Sequence, residues 1–117
     1  MSDIRIKRVY ELAGPEDGFR VLVDRLWPRG VSKEKAKLDL WAKDIAPTPK
    51  LREDFHKGKD SWEKFKKIYQ KELHNNPALD SFIDTIKDKR IITLLFGSKD
   101  IKHNHAIVLL DVLKSRM

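Results

Sequence analysis

The chain has 117 residues, no cysteine, and 25 Lys and Arg against 18 Asp and Glu, a formal net charge of +7. That length suits one hydrophobic core and is short for two. The lack of thiols excludes disulfides, thiolate zinc sites and cysteine nucleophiles. No apolar run nears the roughly 20 residues of a membrane span and no signal-peptide pattern opens the chain, so a cytoplasmic protein with no membrane partner is expected.

The basic excess recurs in each third of the chain instead of gathering in one block. It suits a phosphate, a nucleic acid or an anionic surface as partner. It equally suits a lysine-rich exterior that keeps a small protein in solution.

Ile4 to Tyr10 alternates apolar and basic residues, the period of a half-buried strand. Gly14-Pro15-Glu16-Asp17-Gly18 turns the chain, and Phe19 to Asp24 reads as a second strand. The link is short for a crossover with a helix, so a hairpin is an alternative and the relative direction of these strands stays open. The second strand runs into Asp24-Arg25-Leu26-Trp27-Pro28-Arg29-Gly30, an acid, two arginines and a tryptophan in one turn. Ser32 can cap a short helical turn through Lys37, and Leu38 to Ala42 is either a short strand or irregular chain.

Thr48 as N-cap with Pro49 in the first helical position starts a helix that buries Leu51 and Phe55 and ends at Gly58. Asp60 and Glu63 read as a capping box for the next helix, whose core stripe is Trp62, Phe65, Tyr69 and Leu73. Asn75-Asn76-Pro77 opens a further helix with Leu79, Phe82, Ile83 and Ile86 on one face. Arg90 to Phe96 is continuously apolar after its first residue, the pattern of a central strand covered on both faces. Beyond Gly97-Ser98-Lys99-Asp100, a largely buried helix runs from about Asn104 to Lys114.

Alternating strands and helices predict a single three-layer α/β domain, with a small, mostly parallel sheet of three or four strands flanked by helices. Ligands of such sheets sit outside the carboxyl ends of strands. Two ends carry polar chemistry here, Asp24 to Gly30 and Gly97 to His105, and they meet if their strands are parallel neighbours.

Val21 to Gly30 (VLVDRLWPRG) followed by Ser32-Lys33 resembles the hallmark of the YeaO-like family, domain of unknown function 488. So do Trp41 with Ala46-Pro47, Leu51-Arg52, Trp62 with Phe65 and Tyr69, and Thr93-Leu94-Leu95 through Asp100 to Asn104. The resemblance runs through nearly the whole chain and implies an uncharacterised bacterial or archaeal protein. A wider group of relatives places Cys-His after the later strand, where this chain has Asn104-His105, so cysteine chemistry does not carry over. Some family members bear a transcription-regulator label, but the strands argue against an all-helical winged fold.

Arg25 and Arg29 could clamp a phosphate while Trp27 stacks a base; alternatively Asp24 pairs with an arginine to hold the turn and Trp27 packs in the core. Lys99 and the start of the last helix would add positive potential opposite, and Asn104 either contacts the ligand or caps that helix. The expected ligand-binding set is therefore Arg25, Trp27, Arg29, Lys99 and Asn104, with Asp24 as the candidate acid or base if there is a reaction. His103 and His105, two apart, converge on a metal only if extended, and no metal or cofactor is expected. The expected ligand contains phosphate. The alternative is a non-catalytic nucleic-acid-binding or interaction module using Lys64, Lys67 and Lys71 on a helical face. Oligomeric state is not encoded in any of these patterns.

Overall fold

The computed structural model describes residues 2–117. In chain order it contains β1 (Asp3–Arg8), β2 (Phe19–Leu22), α1 (Lys33–Ala36), β3 (Leu40–Trp41), α2 (Pro49–His56), α3 (Trp62–His74), α4 (Pro77–Ile86), β4 (Ile91–Phe96) and α5 (His105–Arg116). The sheet order is β1-β4-β2-β3 and every pairing is parallel. Among the described residues, no helix is long and apolar enough to cross a membrane.

β4 lies inside the sheet, with Ile92 through Phe96 all buried. Ile92 lies beside Ile4 on one side and Phe19 on the other. β1 and β2 therefore run parallel with β4 between them, which excludes the hairpin alternative. Their link carries a short 3-10 turn at Pro15–Asp17 and passes tightly behind β4. At Gly18 φ is +63°, and a Cβ would lie 2.4 Å from the Ile91 carbonyl oxygen, so only glycine fits. The ambiguous stretch after α1 forms β3, a two-residue edge strand.

Side-chain alternation divides the interior in two. Ile4, Val21, Val23, Ile92, Leu94 and Phe96 face the main core, completed by α2 to α5 through residues such as Leu51, Phe65, Tyr69, Leu79 and Leu109. Leu22, Leu95 and Val9 face the other way, onto Trp27, Val31, Leu38 and Trp41. This second layer is thin, made by α1 and the chain around it, and it encloses charge. The Arg20 guanidinium donates to the Ala36 carbonyl at 3.0 and 2.7 Å and pairs with the buried Asp17 carboxylate. Lys7 joins that carboxylate at 3.2 Å, while Thr93 Oγ1 donates to the Asp17 carbonyl at 2.7 Å.

The helix starts follow local chemistry. Ser32, Thr48, Asn76 and Asn104 each accept a first-turn N–H of the helix that follows. The expected capping box at Asp60 and Glu63 is corrected: Ser61 is the N-cap of α3, its Oγ accepting from Lys64 N–H at 3.1 Å. Asp60 turns inward, is 8% exposed, and pairs with Lys64 at 3.2 Å.

Candidate ligand cleft at the carboxyl edge of the sheet

β2 and β4 are neighbours, so the chain segments leaving their carboxyl ends are adjacent. The ladder extends past β2 and β1: Val23 N–H donates to the Leu95 carbonyl at 3.0 Å, and Val9 N–H to the Phe96 carbonyl at 2.8 Å. Asp24 follows and ties four elements together. Its Oδ2 accepts from Gly97 N–H at 2.9 Å, and its backbone carbonyl accepts from Trp41 Nε1 at 2.7 Å. Its Oδ1 lies 2.8 Å from His105 Nε2 on the first turn of α5. Both atoms are buried, and neither has another hydrogen-bond partner among the described residues. Gly97 is dictated by the same arrangement, since a Cβ there would stand 2.8 Å from Asp24 Oδ2.

Around this post lies a cleft of about 340 Å³. One wall is the loop Asp24 to Arg29, a second is α2 with Arg52, Phe55 and His56, and a third is Gly97, Ser98 and His103 to His105. Tyr10 stands at the mouth and Phe65 in the depth. Asp24 is the only carboxylate in this lining, against three arginines and three histidines.

The residues named from the sequence fall into different roles. Asp24, Arg25, Trp27, Arg29 and Asn104 all line the cleft; Lys99 does not, and is exposed. Arg25 is largely committed to the fold, with Nε donating to the Pro47 carbonyl at 3.1 Å and Nη2 to the Ala46 carbonyl at 3.0 Å. Trp27 donates through Nε1 to the Val31 carbonyl at 2.7 Å and meets Trp41 edge to face at 5.4 Å, in the second core layer. Asn104 is 2% exposed, caps α5 through Oδ1 and donates through Nδ2 to the Asp100 carbonyl at 2.9 Å. Arg29 is exposed, and its guanidinium has no carboxylate or carbonyl partner among the described residues.

Of the lining residues outside the sequence-based set, four bear most on the chemistry of the cleft. Arg52, likewise exposed and unpaired among the described residues, and His56 reach the cleft from successive turns of α2. Helical spacing alone places them on one face, but only packing shows that this face meets the loop after β2. His105 had been weighed with His103 as a metal pair; instead it faces Asp24, while His103 Nδ1 lies 3.4 Å from Asp100 Oδ2 and its ring lies against Trp62. Tyr10, read from the sequence only as the end of a strand, is the fourth.

Two shifts in acidity bear on the site. The Asp100 carboxyl is held below its usual range by the N–H groups of Lys102 and then His103, so it stays charged beneath the His103 ring. Tyr69, against His105, is raised well beyond its ordinary value by burial, with Glu72 and Asp24 adding to the effect. Its phenol donates to the Ile45 carbonyl at 2.7 Å and remains protonated.

With this geometry in place, relatives locate the chain. The uncharacterized protein YeaO of Escherichia coli (strain K12) is 42% identical over 113 residues, covering 97% of this chain and 98% of that protein. The uncharacterized protein Rv3073c of Mycobacterium tuberculosis (strain H37Rv) is 37% identical over 113 residues, covering 97% and 95%. No solved structure shows a significant match. A family model described as the inactive DUF488-N3 subclade matches residues 3–117. The chain belongs to the YeaO-like DUF488 family.

Proposed function

We propose that the cleft binds a phosphorylated small molecule or nucleotide and does not transform it. The observation that carries this reading is the pair Arg29 and Arg52. Both are exposed guanidiniums at one cleft, unpaired among the described residues, and the single carboxylate beside them is already engaged by Gly97 and His105. An arginine fork matches phosphate geometry, and the histidines at positions 56 and 103 add donors when protonated. Against catalysis stand the engagement of Asp24, the carboxylate named from the sequence as candidate acid or base, and the description of the matching family model as an inactive subclade.

The test uses inorganic phosphate and ribose 5-phosphate in calorimetric titration and thermal melting. Both should bind, with affinity falling about tenfold or more in Arg29→Ala and in Arg52→Ala, a loss of ~1.4 kcal/mol or greater for a charge-assisted contact. The two side chains are exposed, so both variants should keep the wild-type melting temperature without ligand. Absence of any anion-induced rise in melting temperature, or unchanged affinity in both variants, would sink the reading.

The rival, a nucleic-acid contact through α3, has weaker support. Lys64 pairs with Asp60 at 3.2 Å and Lys66 with Glu63 at 3.6 Å, leaving Lys67 and Lys71 as the cations of that face without an ion pair among the described residues. Oligonucleotide binding that falls steeply with salt and disappears in a Lys67→Ala/Lys71→Ala variant would favour it instead.

A further inference from the structure

Tyr10 is an aromatic side chain held rigidly where no core needs it. It follows the last ladder bond of β1, is 47% exposed, and lines the cleft. Its hydroxyl donates to the Arg29 carbonyl at 3.0 Å. The Arg8 guanidinium carbon lies 4.9 Å from its ring centroid, and Arg8 is itself fixed by Nε donating to the Ser98 carbonyl at 2.9 Å. The ring is thus clamped by both loops that build the cleft, the one after β2 and the one after β4. A guanidinium covers part of it and the remainder is open. Leu26, 59% exposed, presents a second apolar surface from the loop that carries Arg29.

We propose that Tyr10 is a stacking platform for a nucleobase, and that the ligand of the cleft is a nucleoside monophosphate. This rests on the anion reading above and adds to it the non-phosphate half of the molecule. A stacking surface works best when its orientation is set before the ligand arrives, because little side-chain freedom is then lost on binding. The two tethers of Tyr10 supply that. The tyrosine is also coupled to the phosphate-holding residue, since the carbonyl that fixes its hydroxyl belongs to Arg29. A cleft of about 340 Å³ lies in the range of small-ligand sites, roughly 300–1,000 Å³. The role expected of Trp27 from the sequence passes to Tyr10, because Trp27 spends its ring on Trp41 and its N–H on Val31.

The test compares adenosine 5′-monophosphate with ribose 5-phosphate, which differ by the base alone, in titrations of the wild type, Tyr10→Ala and Tyr10→Phe. The nucleotide should bind the wild type about tenfold more tightly, the scale of one base–aromatic stack. Tyr10→Ala should make the two ligands equal: loss of the hydrogen bond to the Arg29 carbonyl weakens both alike, the ring alone distinguishes them, and measurable ribose 5-phosphate binding shows that the variant is folded. Tyr10→Phe keeps the ring and should retain most of the gain. Equal affinities in the wild type, or a gain that survives Tyr10→Ala, would overturn the platform and leave the anion site standing. If ribose 5-phosphate itself fails to bind, the anion reading has failed and the nucleotide assignment falls with it.

Discussion

Asp24 organises the cleft through its contacts more than through its charge. Its carboxylate holds the N–H of Gly97 at 2.9 Å and faces His105 at 2.8 Å, and its carbonyl holds Trp41. Asp24→Ala should therefore lower stability by about 1–3 kcal/mol, the cost of leaving buried polar partners unsatisfied, as read from urea unfolding. Gly97→Ala should cost a similar ~1–3 kcal/mol, because the new Cβ meets Asp24 Oδ2 at 2.8 Å. The double variant removes that clash, so its loss should be smaller than the sum of the single losses; simple additivity would mean the two residues do not constrain each other. The density of polar and aromatic side chains from Asp24 to Gly30 made this region legible in the sequence. The division of labour within it was not. Whether Trp27 or Tyr10 is packed depends on distant partners: Trp41 meets the Trp27 ring, and the Arg29 carbonyl holds the Tyr10 hydroxyl.

At the scale of elements, what is encoded locally was readable and what depends on pairing was not. Four helix starts followed from Ser, Thr or Asn ahead of an amphipathic run. The fifth slipped by one residue, because Asp60 and Ser61 are both good caps and burial of Asp60 decided between them. Ser61→Ala should then destabilise by about 1 kcal/mol through the cap alone, measurable by denaturant unfolding; no effect would return the role to Asp60. The relation of β1 to β2 had no local signature, because β4, which separates them, arrives from the far end of the chain. Asn104 illustrates both sides. It was weighed as either cap or ligand contact, and both its side-chain groups are used in capping and in holding the Asp100 carbonyl. Asn104→Ala should cost about 1–2 kcal/mol of stability while leaving phosphate affinity unchanged at temperatures where the variant is folded. Weakened phosphate binding in a fully folded variant would make it part of the site.

Across the whole molecule, the thin layer behind the sheet depends on charge more than the main core does. Lys7 on β1, Asp17 in the link and Arg20 on β2 form one cluster, and Arg20 also holds the carbonyl of Ala36 at the end of α1. Burial opposes ionisation of Asp17, but the Gly14 N–H, Lys7 and Arg20 outweigh it and hold its carboxyl below the usual value of 3.8. The sign follows from that depression. The native state binds the Asp17 proton less readily than the unfolded chain, so the ionised carboxylate contributes its full stabilisation above the unfolded value, about pH 4. As pH falls below this, the contribution drains away until the native carboxyl protonates. Asp17→Asn keeps the side chain's shape and removes the titration. It should be less stable than the wild type at neutral pH, since Arg20 is left buried without its counter-charge. The gap between the two proteins should then close as pH drops through the acid range. Other carboxylates and the growing positive charge affect both proteins alike, so the difference in urea midpoint at each pH isolates Asp17. A gap that stays constant from neutral pH to about pH 2.5 would mean that the cluster does not hold the second layer by charge.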